Sequence, residues 1–237
     1  MDSIDSQPRV ITDLDLHIDL TELIKKIRTS SQRPAILASA ETTLTRVTNC
    51  WNPSFVYRWL PVTQVKTGTV TLSDNGTAVT FTLGHSARFV EPAGYTLVAA
   101  YTAGTALEEE YRKSTADQDY LEAYFIDLIA LLVLEKTGDM VKRIAEQQAA
   151  ERHWKVSPFL SPGSVHGWML EEQFPLCSLL PLDEIGVSIR PDGVLSPFKS
   201  LTCMIGIGAE YTSPTVGTTC QVCSKRQSCE MQHDFEG

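Results

Sequence analysis

Three cysteines crowd together near the end of the chain, Cys220, Cys223 and Cys229. A Cys-x2-Cys pair brings two thiolates onto one metal ion or cluster, and a third cysteine shortly after completes a tripod. A closed four-thiolate site needs one more donor. Cys203, after a turn at Lys199-Ser200, is the expected fourth ligand, with Cys177 and His233 as rivals. Three chemistries fit this donor set: an iron–sulfur cluster, a structural zinc ion, or reduced thiols that include a redox pair. The spacing is not that of the three-cysteine motif of radical enzymes.

Other side chains with chemical potential lie upstream. His166 sits in a loop rich in proline and glycine, where an imidazole can move a proton or ligate a metal, although a lone loop histidine is more often a solvated hydrogen-bonder. His17, His85 and His153 have no partner spacing. Asp127 and Glu135 lie eight residues apart in a helical stretch and share roughly one face, so they need partners or a cleft. Lys199 and Ser200, just after Pro197, can position a phosphate or an amide, or simply stabilise a turn. No phosphate-binding Gly-rich loop, dinucleotide fingerprint, nucleophile elbow or zinc-protease helix is present.

The elements that must position these residues are legible in part. Apolar residues at helical spacing predict an amphipathic helix over 14–28. The span 69–83 alternates apolar and polar residues on both sides of Asn75-Gly76, which tolerate the positive φ angles of a tight hairpin. A continuous apolar run over 95–101 predicts a strand covered on both faces, passing into an acidic helix start at Glu108-Glu109-Glu110. A long helix is predicted over 119–151, capped by Asp117 or Asp119, apolar nearly all round in its first half and weakened or bent at Gly138. An ordered loop over 157–168, a short helix over 170–180, and strands over 185–189 and 201–207 complete a body spanning 1–209. Residues 210–237 read as a linker, at about 210–219, and a Cys-rich tail. The mixture predicts an α+β fold.

Composition narrows the function. The chain has 237 residues, a formal charge of −9, a pI of about 5.0 and 43% hydrophobic residues. An acidic chain cannot release many phosphate counterions, so nucleic acid is a poor partner. The longest apolar run, 120–134, carries Glu122 and Asp127 and falls short of the roughly 20 apolar residues a membrane span needs. The polar opening MDSIDSQPRV has no apolar signal core. These features predict a cytoplasmic protein without a membrane partner, in a reducing compartment where six cysteines are not a disulfide framework.

Four segments, in one order over residues 95–208, resemble the activation domain of cobalamin-dependent methionine synthase in a free-standing form. They are Tyr101-Thr102-Ala103-Gly104-Thr105 with Leu107-Glu108, and the helix from Ile126-Asp127 to Glu135. Then come Ser161-Pro162-Gly163 leading to Trp168-Met169-Leu170-Glu171-Glu172-Gln173, and Ile185-Gly186-Val187 leading to Pro197-Phe198-Lys199-Ser200-Leu201. Residues 1–94 agree in general character alone.

The resemblance implies a C-shaped single domain built on a twisted antiparallel sheet flanked by helices. It also implies a role in returning oxidised cobalamin to service on a partner methionine synthase or related corrinoid methyltransferase. In the family, Co(II) is reduced and methyl transfer from S-adenosylmethionine traps Co(I). The ligand cleft would be lined by Thr102, Gly104, Ser161, Pro162, Gly163, Ser164, His166 and Trp168. An iron–sulfur cluster on the tail is the preferred occupant because it would supply an electron, with zinc as the alternative. Departures from the family pattern bear on the methyl donor. Phe159 stands where the family places an arginine that can grip a carboxylate bidentately, Ser164 replaces an aromatic, and Leu131 replaces a carboxylate. These exchanges remove the partners of a charged amino-acid ligand and argue against ordinary S-adenosylmethionine binding. A non-catalytic docking module with a zinc-tied tail is the competing expectation.

Overall fold

The structure is a computed structural model that describes residues 3–27 and 34–217. After strand β1 (Arg9–Ile11), helix α1 (Leu20–Lys26) starts at a capping box. The Asp19 carboxylate accepts the Thr21 N–H at 2.7 Å, while the Glu22 carboxylate accepts the Asp19 N–H at 3.0 Å. Helix α2 (Pro34–Val47) leads into β2 (Ser54–Lys66), the longest strand, and then into the hairpin of β3 (Thr69–Asp74) and β4 (Thr77–Thr82). The hairpin turns through Asn75 and Gly76, both at positive φ, as two-residue turns that match strand twist require. Strand β5 (Tyr95–Thr102), helix α3 (Ala106–Ala116) and helix α4 (Tyr120–Glu151) follow. The chain closes with β6 (Lys155–Val156), α5 (Gln173–Cys177), β7 (Ser188–Ile189), β8 (Leu195–Ser196) and β9 (Ser200–Gly208).

The main sheet is antiparallel, in the order β4-β3-β2-β5-β9-β6. β1 and β3 share the outer edge of β2, β1 along Phe55–Tyr57 and β3 from Val62 to Lys66, across an irregularity between Val62 and Gln64. Alternation along the central strands divides the interior in two. Leu97, Ala99, Tyr101, Cys203, Ile205 and Ile207 face α4 and the other long helices. Val98, Ala100 and Met204 face the opposite core, with Phe81, Leu160, Trp168 and Leu176. The expectation that 95–101 is covered on both faces thus holds, and so does the α+β antiparallel architecture. No helix among the described residues is long and apolar enough to cross a membrane.

Several expectations need correction. The first helix covers Leu20–Lys26 alone; the preceding segment is irregular and packs Leu14, Leu16 and Ile18 onto the core without helical hydrogen bonds. The long helix runs unbroken through Gly138, because the glycine is where Tyr101 comes closest: a Cβ there would lie 2.9 Å from the Tyr101 hydroxyl. The segment 170–180 splits into a 3₁₀ turn at Leu170–Glu172 and the single turn of α5. Within 185–189, strand pairing is confined to Ser188–Ile189, since Leu182–Ile185 forms a 3₁₀ turn ended by Gly186 at φ +65°. Helix α2 and strand β2 carried no prediction.

Candidate functional site

Two groups of expected ligand residues lie along β9, at different heights. At its start, β9 pairs Ser200 with Thr102 of β5. The Thr102 hydroxyl donates to the Lys199 carbonyl at 3.3 Å and accepts from the Ser200 hydroxyl at 2.8 Å and from the Gly104 N–H at 3.1 Å. It is buried and fully engaged, so its work is to fix the chain crossing. Gly104 is required there for backbone reasons: it has φ +90°, and a Cβ would lie 2.7 Å from the Asn52 carbonyl oxygen. The helix carboxylates find separate partners. Asp127 pairs with Lys199 at 2.8 Å and Glu135 with Lys26 at 2.7 Å.

The second group is the loop 161–168, tethered to β9 where Leu160 bridges Met204. Ser161 and Pro162 are buried, and the Ser161 carbonyl accepts the Ser164 N–H at 3.2 Å. Gly163, at φ +75°, donates its N–H to the Trp168 carbonyl at 2.8 Å. Trp168 does not line a cleft; it sits inside the second core, edge-on to Phe81 with ring centres 6.4 Å apart. Its indole Nε1 is buried with no hydrogen-bond partner among the described residues. Gly163, Ser164 and His166 face outward.

Sequence reasoning missed the partner of His166. The backbones at Gly84 and Gly167, both at positive φ, cross so closely that a Cβ on Gly167 would lie 3.0 Å from the Leu83 carbonyl oxygen. The Ser86 hydroxyl donates to the His166 carbonyl at 2.7 Å. This crossing stacks His85 on His166, with ring centres 5.8 Å apart and planes 4° from parallel. Both rings are exposed, so the crossing presents a stacked imidazole pair at the surface. No spacing in the sequence joins these histidines; the hairpin end and the loop meet through tertiary packing alone.

The position of the family's arginine is filled by packing. Phe159 is buried, edge-on to Tyr101 at 6.5 Å, and its N–H donates to the Gly217 carbonyl at 3.0 Å. Leu170 closes on both Gly163 and Gly193, where a Cβ would meet its side chain at 3.3 Å. Leu131 on α4 is half-buried, and Glu172, in the same 3₁₀ turn as Leu170, keeps one carboxylate oxygen buried with no hydrogen-bond partner among the described residues.

Cys203 lies in the middle of β9, wholly inside the helix-side core, and burial pushes its thiol pKa far up. Metal ligation needs a thiolate, which this apolar setting opposes, and the side chain would have to leave the core to reach a cluster. Its placement argues against the fourth-ligand assignment. Cys177 is buried in the other core, its pKa pushed up to about 11 by desolvation. Cys220, Cys223, Cys229 and His233 lie outside the described residues. Among the described residues no group of three or more His, Cys, Asp or Glu side chains could hold a metal ion. The stretch read as a linker, up to Gly217, lies against the body: Tyr211 donates to the Phe89 carbonyl at 2.6 Å, and Val216 donates to the Glu146 carboxylate at 2.7 Å.

No family model matches the chain, and none of the curated proteins matches it. Among solved structures, the fold is similar to the crystal structure of the MetH reactivation domain bound to AdoHcy. The TM-score is 0.64 at 11% sequence identity, covering 88% of this chain and 81% of that one. The likeness establishes the shared fold, a curled antiparallel sheet flanked by helices.

Proposed function

We propose that the chain is an accessory protein for the reductive reactivation of a cobalamin-dependent methionine synthase or a related corrinoid methyltransferase in the cytoplasm. The observation that carries this reading is the likeness of fold to a MetH reactivation domain over 88% of the chain. The four sequence segments in register over 95–208 support it. In this reading the outward face of loop 163–166, with His85 stacked on His166, receives a corrinoid presented by the partner. Ser161, Pro162 and Trp168 hold that face in place from within, while Thr102 and Gly104 fix the separate crossing at the start of β9.

Cys220, Cys223 and Cys229 are the assigned donors for an iron–sulfur cluster, with the fourth ligand drawn from outside the packed core and zinc as the alternative occupant. A bound cluster would supply the single electron that takes Co(II) to Co(I), an external reductant replacing it. The chain's own residues orient the partner and exclude water from the docked face. No methyl-donor pocket is assigned to Phe159 and its neighbours, because Phe159 and Leu131 are apolar where the resemblance expects an arginine and a carboxylate for the donor's charged end. That misfit favours a second reading, a non-catalytic docking module whose tail is tied by zinc.

One experiment separates the readings. Protein purified without oxygen is assayed for iron, sulfide and zinc, then mixed with Co(II) methionine synthase, a reductant and S-adenosylmethionine while methylcobalamin is followed by its absorbance. Iron with sulfide, a visible band that bleaches with dithionite, and faster methylcobalamin formation are expected. A colourless zinc protein that binds the synthase without speeding it supports the docking module. A chain that neither binds nor accelerates overturns both.

A further inference from the structure

A cleft of about 220 Å³ opens between α3, the first turns of α4 and the turn before β9. Its floor is apolar and closed, made of Leu107, Ile126 and Ala130, all at most 4% exposed. Two aromatic rings line it while remaining open to solvent: Tyr111 at 41% exposure and Phe198 at 67%. They do not stack on each other. The Phe198 ring is presented by a fixed backbone, because its N–H donates to the Glu108 carboxylate at 2.8 Å. Four charged groups stand at the cleft, and each is matched: Lys199 with Asp127 at 2.8 Å, and Arg112 with Glu108. Two cations and two anions leave no net charge at the cleft that would favour a charged guest of either sign.

We infer that this cleft binds a neutral, planar aromatic or heteroaromatic ring of one or two fused rings. Size permits it, since an apolar cavity of about 150 Å³ takes benzene. The closed floor offers apolar contact, and the two separated rings offer faces for stacking, the Lys199 ammonium lying over the Phe198 ring 5.5 Å from its centre. The Lys199 ammonium has donors beyond the one given to Asp127, which suits a guest with a ring nitrogen or oxygen acceptor. The inference is independent of the reactivation reading, because it uses neither the loop 161–168 nor the tail.

The test is titration of the full-length protein, followed by backbone amide shifts and calorimetry, with indole and benzyl alcohol as probes. Cyclohexylmethanol, benzoate and benzylamine serve as saturated, anionic and cationic counterparts. Indole and benzyl alcohol are expected to bind with shifts centred on Phe198 and Lys199, and the three counterparts at least about tenfold more weakly. Phe198→Ala and Tyr111→Ala, both exposed positions that leave the core intact, are each expected to weaken indole about tenfold. Phe174→Ala, another exposed ring elsewhere, leaves it unchanged. The inference is overturned by absence of indole binding at millimolar concentration, by equal affinity for cyclohexylmethanol, or by undiminished indole binding in both ring variants.

Discussion

In the proposed reading, Cys203 and the tail cysteines divide two roles that sulfur plays in proteins. A thiol wholly enclosed by Tyr101, Phe159 and the α4 side chains behaves as a small apolar side chain, since burial suppresses the thiolate. Cys203→Ala is therefore expected to lower stability by about 1–2 kcal/mol by opening a small cavity. Iron or zinc content should be unchanged. Cys220→Ala should do the reverse, losing metal from the purified protein at little cost to the body. Metal analysis beside urea denaturation of the two variants decides it; loss of metal in Cys203→Ala would restore that residue as a ligand. Gly138 makes a related point about local propensity. Alanine in a helix interior is ordinarily favoured by about 1 kcal/mol, yet a Cβ here would lie 2.9 Å from the Tyr101 hydroxyl. Gly138→Ala should destabilise by about 1–3 kcal/mol through overpacking. Tyr101→Phe in the same chain should recover part of that loss in the denaturation midpoint.

At the scale of elements, helices α2, α3 and α4 are tied by one charged knot. Arg46 meets Glu110 at 2.5 Å and Glu122 at 2.8 Å, and Lys113 shares Glu110. The hydrogen bonds from Lys113 and then Arg46 hold Glu110 below the ordinary glutamate value of 4.5, and that from Lys136 does the same for Glu22 on α1. A carboxyl whose folded pKa is depressed contributes its stability in full above the unfolded value and loses it as pH falls through the folded one. Thermal midpoints are thus expected to hold steady down to the ordinary glutamate range and to fall below it. Arg46→Met should lower the midpoint at neutral pH and flatten that acid limb; an unaltered acid limb would show that the knot adds nothing. What the sequence disclosed follows the same division between local and long-range causes. The β3–β4 hairpin was legible because Asn75-Gly76 specifies its own turn, and α4 because its period and the Asp119 cap are local. Strand β2 was not, since Arg58 and Pro61 interrupt its apolar run. The structure satisfies Arg58 only through distant partners, Asp74 at 2.6 Å and the carbonyls of Ser6 and Leu179. Helix α2 had a signal, Ile36, Ala40, Leu44 and Val47 at helical spacing, diluted by threonines. At the candidate site, the loop glycines could be read from the sequence. The His85–His166 stack could not, because it exists only where two glycine backbones cross.

For the molecule as a whole, the open question is how a packed body and a cysteine-bearing tail depend on each other, and the segment 209–217 is where they join. Tyr211 lies over Gly206, where a Cβ would clash with its hydroxyl, and burial raises its pKa. Ser213 accepts the Val156 N–H at 3.0 Å, Val216 is buried against α4, and Gly217 accepts the Phe159 N–H at 3.0 Å. This strap is hydrogen-bonded to Phe89, Glu146, Val156 and Phe159, so it belongs to the body's packing. A chain ending at Gly208 forfeits the burial of Val216, about 1.5–3 kcal/mol. It also forfeits hydrogen bonds worth about 0.5–1.5 kcal/mol each. A loss of about 3 kcal/mol or more in urea denaturation is expected. A chain ending at Gly217 keeps all of these contacts and should match the full-length body in stability while, like the shorter chain, holding no iron or zinc. Equal destabilisation of the two truncated chains would mean that metal on the tail drives folding of the body, as it does in small metal-dependent domains, and the proposed separation of scaffold from metal-binding tail would fail.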